Sequence, residues 1–312
     1  MDEFLISPDP KTARRPLVYI IILHYNRISD TVLTLESVQS LQYDNFRVLL
    51  VDNDPTHGIT REILSQFPQV EFQKNSENLG YAGGNNIGIR IAIARGAEFL
   101  LILNNDVIVE TDILTELVRV MEKNELCAAC QPIVVYNDRD DYIWSAGTEF
   151  YFGYPRLYLK NKERSKVIFH DPVKIFGLVG CALLMRGAAV RDIGMFDEDL
   201  FLMHEETDWC IRAKKRGYGL FVVDTAIVRH KISASLVMFS KQYLYYVSRN
   251  WLLVAGKHFP LSTYFYVLAT EFFLRFPYYV IHLAQQKKTR LIQYYLKGVI
   301  DGISGISGKG DF

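Results

Sequence analysis

Three short apolar runs constrain this chain more than anything else in it. Val18–Leu23 (VYIIIL), Val48–Val51 and Phe99–Leu103 (FLLIL) contain no alternating polar positions. Strands of that kind are buried on both faces, as in a parallel sheet covered by helices. The segments between them carry helical spacing. Val32, Leu35, Val38 and Leu41 fall near one face, with Asp30 placed to cap that helix. Thr60–Phe67 reads as a short helix, Val70–Gln73 as a short strand and Gly83–Arg95 as a helix. Asp112–Met121 follows as a helix with Ile113, Leu117 and Val120 on one face. This β-α-β-α order predicts an α/β fold with a mostly parallel sheet and helices on both sides.

The remainder is less regular. Residues 136–235 are rich in Tyr, Gly and charge, and 136–165 read as a long excursion. Leu178–Met185 and Leu220–Val223 read as strands and Glu206–Arg216 as a helix. The last 72 residues differ from the rest. The 312-residue chain has 35 Lys+Arg and 35 Asp+Glu, yet 241–312 hold nine basic and three acidic residues, and 16 of the 41 aromatics. The neutral total argues against a nucleic-acid binder, and 49% apolar content excludes a disordered chain. A basic, aromatic tail on an acidic body suggests nucleic acid or a membrane surface as partner, and its cationic-aromatic composition favours the membrane surface. Its longest uncharged run, His258–Thr270, is shorter than the 17–25 residues or so that a span needs. Glu271 and Arg275 then interrupt it, so interfacial helices are expected, with Trp251, Tyr264, Tyr278, Lys287, Lys288 and Arg290 near headgroups. The competing reading of the tail is a hydrophobic helical subdomain or a homo-oligomer interface. Met1–Pro16 has no apolar core, so no secretory signal is expected. Cys127 and Cys130 form a lone C-x-x-C without further ligands at zinc spacing and read as structural thiols.

Ligands of open α/β sheets bind beyond the carboxyl ends of the strands. Polar clusters stand at those ends here. Val48–Val51 runs into Asp52-Asn53-Asp54, and Val70–Gln73 leads to Asn75, Asn78, Gly80, Gly83, Asn85 and Asn86. Phe99–Leu103 runs into Asn104-Asn105-Asp106. Asn, Asp and Gly are common turn formers, but three such clusters on one edge exceed what turns require. Asp52 can accept hydrogen bonds from a base or a ribose, glycines 80–84 let backbone approach a ligand, and Asp106 can bind a hard divalent cation. No G-x-G-x-x-G or P-loop motif is present. A second acidic cluster, His204-Glu205-Glu206-Thr207-Asp208, opens a predicted helix. Capping explains part of it, but a carboxylate here could serve as general base. His230 follows an apolar strand and can ligate a metal through a ring nitrogen.

Taken in order, YIIILHYN, LLVDN, NLGYAGGNN, LILNNDV, GLVGCALLMR, IGMFDEDLF and HEETDWCIR resemble the family 2 glycosyltransferases over about residues 16–235. Those are inverting enzymes of the GT-A fold, a Rossmann-like sheet. Within them the chain looks most like the rhamnosyltransferase-type enzymes of bacterial surface polysaccharide assembly. The resemblance implies a tail at 1–15 and a catalytic domain at 16–240, with a nucleotide half to about 135 and an acceptor half beyond it. A C-terminal amphipathic helical, membrane-associating extension would span 241–312.

By motif, Tyr25, Asn26, Asp52, Asn53, Asn78, Gly80, Gly83, Asn86, Asn104 and Asn105 would face the donor, with Asp52 on base and ribose. Asn104-Asn105-Asp106 matches the DxD metal motif with its first acid replaced, leaving Asp106 as the carboxylate ligand and His230 to complete the site. Glu205-Glu206 stands where the family has Glu-Asp, whose second acid is the base. The Glu-for-Asp departure leaves Glu205 and Glu206 both open, with Asp208 beside them. The implied reaction moves a sugar, rhamnose by resemblance, from a dTDP- or UDP-linked donor with Mg²⁺ or Mn²⁺ to a polyprenyl-diphosphate-linked glycan. The expected location is peripheral, on the cytoplasmic face of a bacterial inner membrane. A sugar nucleotidyltransferase and a non-catalytic carbohydrate-binding protein on the same scaffold are the alternatives.

Overall fold

A computed structural model describes residues 14–167, 173–231 and 239–311; most of the expected 1–15 tail lies outside them. The first half alternates as read. Its elements are β1 (Val18–His24), α1 (Ile28–Gln39), β2 (Phe46–Asp52), α2 (Arg61–Ser65), β3 (Val70–Lys74), α3 (Gly80–Ala94), β4 (Phe99–Asn104), β5 (Val107–Val109) and α4 (Ile113–Lys123). The middle adds β6 (Cys127–Tyr136), β7 (Ile143–Ser145), β8 (Thr148–Tyr151), β9 (Tyr154–Leu157), β10 (Val173–Lys174), β11 (Ala182–Arg186), α5 (Gly187–Ile193), α6 (Glu205–Lys215) and β12 (Gly219–His230). Four helices close the described chain: α7 (Lys241–His258), α8 (Leu261–Thr270), α9 (Phe276–Gln285) and α10 (Ile292–Ile303). A π-turn, Glu271–Arg275, joins α8 to α9.

The sheet order is β10-β12-β6-β11-β4-β1-β2-β3, with β5 added to β12 and β7 to β6. β1 is parallel to both β2 and β4, which lie on its two sides, so the strand order reverses there. That reversal opens a crevice at the carboxyl ends. Register brings the ends together, because His24 pairs with Asp52 and Leu23 with Asn104. β11 is antiparallel to β4 and β6 and separates the two parallel parts.

β1 is buried along its whole length, in keeping with its unbroken apolar run. One face of the sheet packs on α1 and α4 through Leu35, Val38, Leu114 and Leu117. The other packs on α3, α5 and α6 through Ile89, Val190 and Trp209. The four cysteines are free and buried, as structural thiols would be.

Some boundaries differ from the sequence reading for identifiable reasons. Asp30 does not cap α1. Asn26 and Arg27 turn left-handed at φ 62° and 52°, the helix starts at Ile28, and Asp30 instead accepts from Lys231 Nζ at 2.7 Å. α3 begins at Gly80 rather than Gly83, because the Phe201 carbonyl accepts from the Tyr81 and Ala82 amides and acts as its cap. β12 extends well past Val223. A register shift between Val223 and Ile227 absorbs the polar pair Asp224-Thr225, and the strand resumes to His230. The 136–165 excursion contains an antiparallel hairpin of β8 and β9.

The tail is not an appendage. Trp251, expected near headgroups, is fully buried, and its indole N–H donates to the Gly153 carbonyl at 2.9 Å. Leu244, Val247 and Trp251 of α7 share a core with Leu200 and Ile211 of the body. Glu271 and Arg275 pair with each other at 2.6 Å inside this region, and Tyr295 also donates to Glu271. The two charges that broke the apolar run therefore point inward and are matched.

Candidate active site

A cavity of 1420 Å³ lies over the carboxyl edge of the sheet, roofed by β8–β9 and by α7, α8 and α9. It exceeds the range of about 300–1,000 Å³ usual for one small ligand, so it has room for more than one. Tyr25, Asn26, Asn53, Asn78, Gly80, Asn104, Asn105, Asp106, Glu205, Glu206 and His230 line it. Eleven of the sequence-predicted site residues are thus brought to one space from six different segments.

The donor edge is cross-linked by amides. Asn105 Nδ2 donates to Thr31 Oγ1 at 2.9 Å and to the Asn26 carbonyl at 3.2 Å, which fixes the left-handed turn after β1. Asn53 Nδ2 donates to Asn78 Oδ1 and the Gly80 carbonyl, while its Oδ1 accepts from Asn75 and the Leu79 amide. Asn53 therefore positions the glycine loop more than it offers free groups. Tyr25, 40% exposed, presents a ring to the cavity, a surface on which a nucleobase can stack.

Four predicted residues sit behind the cavity rather than in it. Asp52 is fully buried, and its carboxyl accepts from the Asp54 and Ile59 amides with Lys74 3.8 Å away. It braces the 54–59 loop. Asn86 donates to the Phe196 carbonyl and to Glu198, both at 2.9 Å, and accepts from the Phe196 amide. Gly83 lies against Leu79 and Glu198. Asp208 points to the far side of α6, pairing with Arg212 at 2.7 Å and His258 at 2.6 Å. Burial opposes its charge, but the His258 ring, Arg212 and Lys257 outweigh that and hold its carboxyl below the ordinary range. A carboxylate so committed is a poor proton acceptor.

Asp106 and His230 meet at the ends of β4 and β12, with Asp106 Oδ1 3.1 Å from His230 Nε2 and both side chains nearly buried. The Trp144 ring stands edge-on to His230 at 5.0 Å. One carboxylate and one imidazole, here hydrogen-bonded to each other, are donors of the kind that suit a divalent cation. Among the described residues no cluster of three or more His, Cys, Asp or Glu offers a complete protein cage. The pair thus fits a cation that takes its remaining ligands from water and substrate phosphates, as Mg²⁺ usually does.

The acid pair opens α6 opposite this edge. Glu205 is 3% exposed and one of its oxygens is buried without a partner. Burial and the neighbouring Glu206 push its carboxyl well above the ordinary range. Burial pushes Glu206 up to about 7. Two close carboxyls with separated affinities assign themselves different states near neutrality. Of the two, Glu205 is held the more strongly toward its protonated form. His204, just before them, is held neutral by burial and the nearby Arg275, which push its ring down to about 3. The approach to α6 is strained, since Phe201, Met203 and His204 have φ of 60°, 75° and 72°. Such residues cost about 1–3 kcal/mol each and persist only where surroundings impose them.

The sequence reading missed the roof. Tyr154, Arg156, Lys160, Tyr246, Arg275 and Lys309 also line the cavity. Their Tyr- and Arg-rich segments carried composition but no spacing signal.

A reversed parallel sheet with this polar edge and an acid pair beyond it defines the GT-A class of nucleotide-sugar enzymes. Solved structures agree on the fold. GalNAc-T7 with UDP, GalNAc and Mn²⁺ superposes with a TM-score of 0.60 at 16% identity, covering 77% of this chain and 48% of that one. A mannosyltransferase from Pyrobaculum calidifontis in complex with GDP-Man and Mn²⁺ gives 0.56 at 15% identity, covering 97% and 90%. Residues 19–194 match the sequence model of glycosyl transferase family 2, and the chain belongs to that family. Among curated relatives, dTDP-rhamnosyl transferase RfbF of Shigella flexneri is 25% identical over 95% of this chain and 98% of that protein. Low-salt glycan biosynthesis hexosyltransferase Agl10 of Haloferax volcanii is 22% identical over 93% and 92%.

Proposed function

We propose that this family 2 glycosyltransferase works by single displacement with inversion, taking a sugar from a dTDP- or UDP-linked donor to a hydroxyl of a lipid-linked glycan. The likeness to RfbF over nearly the whole chain favours rhamnose from dTDP-rhamnose. The observation that carries the mechanism is the pairing within one cavity of a buried acid pair, Glu205–Glu206, with the Asp106–His230 edge.

Tyr25 and Asn26 take the base, with Asp52 and Asn53 holding the loops around it. Asn78, Gly80, Asn104 and Asn105 orient the donor, while Gly83 and Asn86 hold the start of α3. Asp106 and His230 would hold Mg²⁺ or Mn²⁺, which supplies positive charge against the leaving diphosphate. Glu206 is the base. The acceptor hydroxyl donates a hydrogen bond to its carboxylate and loses the proton as its oxygen attacks the anomeric carbon. The sugar–phosphate bond breaks on the opposite face. Burial keeps Glu206 basic, and Glu205 beside it is pushed still further toward its protonated form. Asp208, paired with Arg212 and His258 behind α6, is not the base.

The acceptor side supports a lipid-linked substrate. Leu261, Phe265, Phe273 and Ile281 are 59–79% exposed along α8, the π-turn and α9, and Lys287, Lys288 and Arg290 lie exposed just beyond. Leu274 and Tyr278 continue this surface into the cavity wall. Among the described residues no helix is long and apolar enough to cross a membrane. An apolar strip ending in cations suits an anionic bilayer surface, from which an acceptor headgroup reaches Glu206. The family assignment removes the nucleotidyltransferase alternative. A panel of nucleotide sugars with Mg²⁺ or Mn²⁺, scored by nucleoside diphosphate release onto lipid-linked acceptors, tests the reading. Release from none would leave the non-catalytic binding alternative.

A further inference from the structure

The left-handed segment before α6 is held from outside the catalytic half. Asn250 of α7 is fully buried, and its side-chain amide donates to the carbonyls of Leu200 at 2.7 Å, Leu202 at 2.7 Å and Met203 at 2.8 Å. Its own oxygen accepts from Arg249 Nε at 2.8 Å, and Arg249 Nη2 reaches the same Leu200 carbonyl at 3.3 Å. The carbonyl between these, that of Phe201, turns the other way and accepts from the Tyr81 and Ala82 amides at the start of α3. His204, the last left-handed residue, rests against the Trp251 ring at 5.6 Å and the Tyr154 ring at 5.6 Å. Asn250 is thus bonded on three sides of a segment whose backbone would not hold its shape unaided.

We propose that Asn250 is a positioning residue for the transfer reaction: by clamping Phe201–His204 it fixes the Glu206 carboxyl relative to the donor-binding start of α3. The inference rests on the reading of Glu206 as base, and makes the C-terminal helical region part of the active site. Asn250 itself does not line the cavity and acts through the segment it holds. An Asn at this point can do what Asp cannot, since a carboxylate has no N–H to offer three carbonyls.

Asn250→Ala is the test, with folding checked by circular dichroism and UDP or dTDP binding by calorimetry with Mn²⁺. The expected result is a kcat about 10–100-fold lower, a donor KM within about threefold, and an acidic limb of the kcat–pH profile displaced to lower pH as water reaches Glu206. Asn250→Ser, which keeps one donor, should recover part of kcat, and Asn250→Asp none. A folded Asn250→Ala with wild-type kcat, or one that loses activity by the same factor at every pH, overturns the proposal. So does failure of both the Ala and Ser variants to fold, which would make Asn250 a folding element only. Full activity of Glu206→Gln would instead remove the underlying base assignment, so the two failures are distinguishable.

Discussion

Replacing Glu206 by Gln separates catalysis from stability in opposite directions. Burial raises this carboxyl from 4.5 to about 7 in the folded protein. Between those values the folded state binds more protons than the unfolded chain, so stability is full below about 4.5 and falls as pH rises through 7. At pH 8 the ionised carboxylate costs the fold at most about 3 kcal/mol, because the side chain opens onto a wet cavity and water relieves part of that. Gln carries no such charge. The variant should therefore match the wild type near pH 4.5 and exceed it at pH 8, by several °C in melting temperature at about 2 °C per kcal/mol for a chain of this size. Its kcat should meanwhile fall about 10²–10⁴-fold. The groups facing Glu206 are Glu205 and Cys210 on its own helix, Tyr81 from α3 and Tyr154 from β9. The tyrosines and Cys210 keep their protons across this window, while Glu205 loses the push of Glu206 in the variant, so the difference reads the acid pair as a unit. Thermal melts and initial rates at four pH values suffice. A stability difference that does not grow between pH 5 and pH 8 would refute the argument, as would retained transfer.

Other consequences follow from the same geometry. Glu205→Gln imitates the protonated acid already present and should keep kcat within about tenfold, read by the same rate assay. Asp106→Ala should abolish Mn²⁺-dependent binding of nucleoside diphosphate in calorimetry, whereas Glu206→Gln should leave it intact. Phe273→Glu with Ile281→Glu should abolish flotation with vesicles containing anionic lipid while leaving transfer to a water-soluble acceptor unchanged; persistent flotation would reject the bilayer reading of that strip. Deleting 241–312 is a poorer test, since it removes Trp251 and Asn250 from the body.

The strands that form the donor edge were legible because β1, β2 and β4 are buried on both faces and leave unbroken apolar runs. The polar residues at their ends were legible because a reversed parallel sheet admits ligands only there. What escaped reading depended on contacts between distant segments. Asp52 and Asp208 stand in ligand-like motifs, but one is saturated by its own loop and the other by a helix from the tail. Trp251 has the composition of an interfacial anchor, and only the packing of α7 under β8–β9 shows it to be core. The order of affinities in the Glu205–Glu206 pair depends on how each carboxyl is buried and which backbone amides it meets, and adjacent letters in a sequence carry no such information.

The corner at Phe201 has a consequence for recombining this protein with its relatives. A Cβ on Gly80 would overlap the Phe201 carbonyl, and Asn86 is bonded to Phe196 and Glu198. The two segments behave as one interchangeable part. A chimera that imports 78–86 to change the sugar accepted, without importing 196–204, should lose turnover even with every imported donor contact correct. Moving both together should preserve it.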